Sequence, residues 1–394
     1  MTVPFYIEVG SFQKSHVGER ICGDVFVSQR VKEENRTVVV LSDGMGHGVK
    51  ANLLATLTAT MALNFTKEHK DARKIAEIIL KTLPICSERK ISYATFSIVD
   101  VDDQGQTTIL NYDNPRPIIT RECEPFEPKW IRLKIETNNP NANEIEACTF
   151  PAKKEDRVVL MSDGVAQSGL GKGKYLLGFG IENVQKLVLD NIADNPAISA
   201  SKLSEKLVNR AFANDGYQAK DDTSAAVIYF RHPRQLLVCS GPPFDKGKDP
   251  ELASIMKNFE GKKIICGGST ADIISRELEL KINDNLEFDD PDLPPISYMD
   301  GIDLVTEGIL TLSKVSAILE SYTNRVDLEN GPADRIVKFF LESDEIIFWI
   351  GTAINVAHQD PNLPVELEIR RSVIKKIANI LETKLLKEVK VNFI

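Results

Sequence analysis

Two near-identical tetrapeptides, LSDG at 41–44 and MSDG at 161–164, each follow an apolar run and end in an aspartate and a glycine. Further aspartates stand against strands in CGDVF (Asp24) and in KDDTSAAVIYF (Asp221 and Asp222). A carboxylate beside a run such as Val38, Val39, Val40 and Leu41 is costly unless something compensates its desolvation. Carboxylates gathered at one sheet edge also repel one another unless cations share them. Hard oxygen donors from Asp, backbone carbonyls and water suit Mg²⁺ or Mn²⁺. Two such ions bridged by one water lower its pKa and clamp a phosphoryl group for in-line attack. Gly44 follows Asp43 where a bare backbone lets its carbonyl reach an ion. One SDG alone is an ordinary turn, because Asp and Gly both favour turns. Its recurrence, with GD and DD each against a strand, argues for a metal centre. Arg20, upstream of Asp24, offers a planar guanidinium for a substrate phosphate, or else a solvated surface charge.

Strands bounded by turn residues must position these groups. DVFVSQRV, TVVVLSD, YATFSIVDVDDQG, TTILNYDNPRPIITR, DRVVLMSDG and SAAVIYF carry β-branched residues between Asp, Asn, Gly or Pro. Helical spacing follows at about 49–68 and 71–82, with two more helices near 181–191 and 197–214. Sheets with paired helices outside them make an α+β layered sandwich. Residues 121–150 read as an excursion of a strand or two and a loop around NNPNANE.

With 394 residues, a net charge of -9, 42% hydrophobic and 27% charged residues, the chain reads as globular and soluble, with two domains. The acidic balance argues against nucleic acid or an anionic membrane as partner. No apolar run reaches membrane-span length and no leader pattern opens the chain. Six scattered cysteines without CxxC spacing fit reduced thiols, so a cytoplasmic location is expected.

After RHPRQ the pattern changes. LLVCSGPP, KKIICGGSTADIISREL and EIIFWIGTAINVAHQ run from strand through glycine to helix, the pattern of an α/β domain with parallel strands. The domains are therefore 1–232 and 233–394, and the chain is expected to end in a helix through LEIRRSVIKKIANILETKLLKEV. The turns at 267–270 and 351–352 each offer glycine, hydroxyls and a helix start. They are expected to face one cleft and bind a small anion, although such turns also occur for geometry alone. There is no GxxxxGK[ST] and no full GxGxxG.

GD at 23–24, SDGMGHG at 42–48, SDG at 162–164 and DDTS at 221–224 resemble the metal-dependent PPM/PP2C protein phosphatases. The resemblance is to the bacterial branch typified by SpoIIE and RsbU, and it covers about residues 5–230. YDNPRPIITR also sits where that branch has a strand turn. The resemblance implies a PP2C-like αββα sandwich, two Mn²⁺ or Mg²⁺ ions, and hydrolysis of phosphoserine or phosphothreonine in a phosphoprotein, such as a STAS-type regulator. Carried over, Asp43 bridges both ions with the Gly44 carbonyl on one. Asp24 binds the second ion, and Asp163 and Asp221 complete the first. Asp222 stands where the family varies between Asp and Asn, which puts it behind Asp221, but spacing leaves the choice between the two open. Met45 occupies the place of a histidine in the eukaryotic branch, and His47 lies two residues on.

Residues 233–394 are expected to form a regulatory or ligand-binding domain, and the resemblance implies that regulatory domains act on the helix after Asp43. The competing reading is a catalytically silent scaffold with an anion-sensing second domain. The intact acidic set favours the enzyme. An aspartyl phosphotransferase would need a DxD nucleophile at a strand end, and DVDDQG at 100–105 lies instead at a hairpin turn.

Overall fold

The computed structural model describes residues 5–68, 71–82, 94–135, 144–171, 175–285, 289–322, 328–353, 365–385 and 387–394. Most of the NNPNANE loop, and INVAHQ (354–359) of the second glycine turn, lie outside them. The chain divides into two compact units, Met1–His232 and Pro233–Ile394.

In chain order the first unit comprises β1 (Tyr6–Lys14), β2 (Val25–Val31), β3 (Arg36–Gly44), α1 (Gly48–Glu68) and α2 (Ala72–Thr82). There follow β4 (Ala94–Val101), β5 (Gln106–Tyr112), β6 (Ile118–Arg121), β7 (Glu124–Pro125), β8 (Ile131–Lys134) and β9 (Glu144–Pro151). β10 (Arg157–Met161), α3 (Asp163–Ala166), α4 (Ile181–Asp194), α5 (Ala200–Asn214) and β11 (Thr223–Arg231) complete it. Two sheets form, one ordered β1-β11-β10-β6-β7 and one ordered β2-β3-β4-β5-β9-β8.

The unbroken run Val38–Leu41 is explained by a strand buried on both faces, with alternate side chains taking opposite sides. Val38 and Val40 pack under α1 and α2 with Ala59, Ala62, Ile75 and Ile79. Val39 and Leu41 point into the inter-sheet core with Val158, Leu160, Ala226 and Ile228. Each such side chain contributes about 1.5–3 kcal/mol by burial. On the far side Val159, Met161 and Val227 meet Val184 and Val188 of α4 and Leu203 and Leu207 of α5. The layers are therefore helix, sheet, sheet, helix, as expected. The excursion at 121–150 resolves into β7, β8 and β9, of which β8 and β9 extend the six-stranded sheet.

α1 lies close to its sheet because its inner face is alanine: Ala51, Ala55, Ala59 and Ala62 are all fully buried. Its outer face is apolar too, with Val49, Leu53 and Leu57 at 59, 64 and 48% exposure. The far end of the helix is tied down by the buried Arg36. Its guanidinium donates to both Asp100 oxygens and to the Thr66 and Lys67 carbonyls.

The second unit runs β12 (Gln235–Ser240), α6 (Asp249–Asn258), β13 (Lys262–Cys266), α7 (Gly268–Leu278), β14 (Ile282–Asp284) and β15 (Ser297–Met299). It continues with β16 (Ile302–Thr306), α8 (Ile309–Ser321), α9 (Pro332–Glu342), β17 (Glu345–Ile350), α10 (Val365–Thr383) and β18 (Glu388–Phe393). The sheet order is β14-β15-β16-β13-β12-β17-β18, and the strands from β16 to β18 are mutually parallel. Helices cover both faces. Leu236, Val238 and Phe348 pack with Leu312, Ile336 and Ile377, while Leu237, Cys239 and Ile265 pack with Leu252, Met256 and Ile274. The expected terminal helix is corrected: α10 stops at Thr383, and the stretch from Glu388 pairs with β17 as a parallel strand. Val389 and Val391 alternate into the core there, a period-two pattern that LLKEV alone conceals. No helix among the described residues is long and apolar enough to cross a membrane.

Candidate metal centre

Antiparallel pairing of β2 and β3 sets Val25 opposite Ser42, so Asp24 and Asp43 leave the six-stranded sheet at one end. In the other sheet Met161 of β10 stands opposite Ala225 of β11, which brings Asp163 and Asp222 to a common end as well. Glycines let the two ends meet. A Cβ on Gly23 would lie 2.5 Å from Asp222 Oδ2, and one on Gly164 would lie 2.2 Å from the Asp222 carbonyl. A Cβ on Gly44 would lie 2.1 Å from the carbonyl oxygen of Ala51, so α1 rests directly on the backbone beside Asp43. Asn52 of α1 also donates to the Cys22 carbonyl at 2.8 Å.

The acids gathered there are strained electrostatically. Asp24 and Asp222 are each 2% exposed. Both carboxylate oxygens of Asp24, and Oδ2 of Asp222, are buried without a hydrogen-bond partner among the described residues. Burial raises the Asp24 carboxyl to about 7. The Ser224 and Ser162 hydroxyls lie near enough to stabilise its charge in part, though neither reaches standard hydrogen-bond geometry. Asp43 is pushed up to about 10 by burial, then by the charges of Asp24, Asp163 and Asp221. Asp163 is itself raised by burial. Asp221, exposed on the rim, is pushed up to about 6 by burial and then by Asp163.

Four acids from two sheets thus have carboxyls raised above the usual carboxylate range, by burial first and, for Asp24, Asp43 and Asp221, by one another's charges as well. Among the described residues no three His, Cys, Asp or Glu side chains are already disposed around a single metal position. The donor chemistry nevertheless fits hard divalent cations: it is all oxygen, with buried carboxylate oxygens that lack partners. Burial and then the Asp24 charge push the nearby Cys22 thiol up to about 12.

Asp221 and Asp222 stand in different surroundings. Asp222 is the buried one, taking the His16 amide on Oδ1 at 3.0 Å, while Asp221 Oδ1 accepts from the Asp222 amide at 2.8 Å. Arg20 is exposed in the turn between β1 and β2 and makes no ion pair with a described residue. His47 is exposed as well. Its Nδ1 meets Glu19 Oε1 at 2.9 Å, and its ring stacks on His16 with centroids 4.3 Å apart.

Several participants escaped sequence reasoning. His16 reaches Asp222 through its backbone and has no motif around it. Asp113, at φ 59 in the YDNP turn, is raised by burial and then by the Asp163 charge. Behind Asp43, Ser42 Oγ donates to the Thr95 carbonyl at 2.9 Å, and Thr95 Oγ1 donates to Asn114. Asn114 in turn donates to Ser97 Oγ at 3.1 Å, and Asn111 donates to the Asn114 carbonyl at 2.8 Å. The NYDNP sequence was the available signal for this network.

A family model, Stage II sporulation protein E (SpoIIE), matches residues 33–231. The chain belongs to the SpoIIE family. Asp43, Asp163, Asp221 and Asp222 lie inside the matched segment, whereas Arg20 and Asp24 precede it. This SpoIIE-family chain is also similar to solved structures. The SpoIIE phosphatase domain of Bacillus subtilis, in a crystal form without domain swapping, is 16% identical over 59% of this chain and 95% of that one, with a TM-score of 0.43. The PP2C phosphatase domain of the same protein with a fragment of its regulatory domain gives 16% identity, 58% and 63% coverage, and a TM-score of 0.47. The RsbU and RsbW domains of Rv1364c from Mycobacterium tuberculosis give 14% identity, 65% and 68% coverage, and a TM-score of 0.45. Among curated proteins none matches.

Proposed function

We propose that this SpoIIE-family chain is a metal-dependent protein serine/threonine phosphatase whose second unit regulates it. The observation that carries the reading is the meeting of Asp24, Asp43, Asp163 and Asp222 from two sheets at one end, with buried oxygens that lack partners. Asp43 and the Gly44 carbonyl, Asp24, Asp163, and Asp222 with Asp221 would hold two Mn²⁺ or Mg²⁺ ions. When bound, these ions supply the positive charge that orients a phosphoryl group and acidifies water.

The chain's own residues do the rest. The Ser42–Thr95–Asn114–Ser97 network fixes the strand end from which Asp43 projects. Gln167 Nε2 donates to Asp163 Oδ2 at 3.0 Å and orients that carboxylate. His16 positions Asp222 through its backbone amide. Arg20, exposed between β1 and β2, is the candidate to meet a phosphate group on a protein. The substrate class is a phosphoserine or phosphothreonine protein, with a STAS-type regulator as the candidate that family membership suggests.

Regulation through α1 is supported by two features. Gly44 abuts the Ala51 carbonyl, so the helix position sets where the Asp43–Gly44 backbone stands. The exposed stripe of Val49, Leu53 and Leu57 offers an apolar grip on that helix. The test is turnover of a phosphoserine peptide by the full chain with and without Mn²⁺. Activity that needs Mn²⁺ and disappears in Asp43→Asn supports the enzyme. A folded, Mn²⁺-loaded protein without turnover supports a silent scaffold.

A further inference from the structure

The two glycine turns of the second unit do lie at the same end of its sheet, because β13 and β17 both run parallel to β12. Only one of them is open. After β17, the Gly351 amide donates to the Ser240 carbonyl at 2.9 Å, Thr352 to Ile394 at 3.0 Å and Ala353 to Pro242 at 3.1 Å. The Thr352 hydroxyl also donates to the Ile394 carbonyl. A Cβ on Gly351 would stand 2.1 Å from the Pro242 carbonyl oxygen, so no space remains there. That turn is closed by its own chain.

The turn after β13 differs in each respect. Gly267 has φ 129, and a Cβ on Gly268 would meet nothing within 4 Å. The first intrahelical bond of α7 runs from the Ala271 amide to the Gly267 carbonyl at 3.0 Å. The amides of Gly268, Ser269 and Thr270 precede it and have no partner within the helix. Thr270 is 0% exposed, and its hydroxyl has no hydrogen-bond partner among the described residues. That hydroxyl turns back over the glycines, 3.6 Å from where a Cβ on Gly267 would stand. The neighbouring α8 starts beside it, since a Cβ on Gly308 would lie 3.4 Å from Gly267 Cα. There Glu307 Oε2 lies 3.5 Å from the Thr311 amide, so the α8 terminus already faces a carboxylate. The α7 terminus is the one left for a ligand.

We propose that Gly267–Thr270 is a binding site for the phosphate group of a small molecule. Three successive amides and the Thr270 and Ser269 hydroxyls offer more donors than a carboxylate can use, and they suit a tetrahedral oxyanion at a helix N-terminus. The site goes beyond the phosphatase reading and does not rest on it.

The experiment titrates inorganic phosphate into the ¹⁵N-labelled full chain in EDTA, which silences any phosphate bound through metal in the first unit. Saturable shifts of the Gly267, Gly268 and Ser269 amide resonances are expected. Thr270→Val removes a hydroxyl that has no protein partner, so folding is retained while phosphate affinity falls about 3–10-fold. Gly268→Pro, tolerated at the first helical position, removes one amide donor and lowers affinity further. Thr352→Val binds phosphate as the wild type does. Unchanged affinity in both Thr270→Val and Gly268→Pro overturns the site, as does a loss confined to Thr352→Val. Acetate binding as tightly as phosphate overturns the ligand class.

Discussion

At the acidic end of the first unit the strands deliver carboxylates, whereas at the carboxyl end of the second unit's parallel sheet they deliver glycines, amides and hydroxyls. Both ends rely on glycine to let backbone come close, at Gly44 and Gly164 in one case and at Gly351 in the other. The ligands they suit have opposite charge. Strand-end glycine therefore says that something approaches closely. Its neighbours say what: buried acids without partners call for a cation, and buried hydroxyls beside unused amides call for an anion. Gly351 shows a third outcome, in which the approaching group is the chain itself.

The sharpest way to break this contrast is to remove charge at the acidic end. Asp43→Asn should lower kcat/KM for a phosphopeptide by roughly a thousandfold, equivalent to about 4 kcal/mol of transition-state stabilisation. The circular dichroism spectrum should be retained. A variant within tenfold of wild type would mean that the acids are only structural.

Next in size is the contrast between glycines. Gly44→Ala must displace the α1 backbone and should cost about 1–3 kcal/mol in urea unfolding, with weaker Mn²⁺ binding. Gly268→Ala, which meets open space, should change stability by no more than about 1 kcal/mol. Equal losses would erase the distinction between a packed and an open turn.

The third prediction concerns pH. Asp24, Asp43 and Asp221 have folded-state pKa values raised to about 7, 10 and 6. The metal-free native state therefore binds more protons than the unfolded chain above the usual carboxylate range, and its stability falls as pH rises from about 4. Thermal melts in EDTA should decline between pH 5 and pH 8, and saturating Mn²⁺ should flatten that decline. A metal-free melting temperature that rises over the same interval would contradict the burial of these acids.

The smallest effect is expected on α1. Leu53→Glu lies on an exposed face, so stability should shift by no more than about 0.5 kcal/mol. The Mn²⁺ concentration for half-maximal activity should nevertheless move several-fold if that stripe is the regulatory grip. Identical metal dependence would leave α1 as scaffold only.

Much of this was readable in the residues. The run at Val38–Leu41 announced a strand buried on both faces, and GD, SDG and DD announced acids at strand ends. His16 and Asp113 were not readable, because their nearness to Asp222 and Asp163 comes from tertiary packing and a positive φ. That Asp222 is the buried member of the DD pair was not readable for a similar reason: which of two adjacent aspartates turns inward depends on the strand register of β11. In the second unit, two turns that look alike diverged because the carbonyls occupying 351–353 come from Ser240, Pro242 and Ile394. β18 was hidden because LLKEV continues the composition of the helix before it.

The pairing of β1 with β11, Tyr6 opposite Arg231, also has a temporal side. The first strand of the unit can find its neighbour only after the last has been synthesised. At about 5–20 residues per second, the wait is on the order of tens of seconds. Asp24 follows β1 and Asp222 precedes β11, so the acidic end is assembled by this late, long-range closure. A nascent chain would carry its cation ligands scattered along the polypeptide and would gain them as a set only at the close of folding. Non-local pairing of this kind slows folding. If the proposed function holds, it would also delay the onset of activity until the unit is whole.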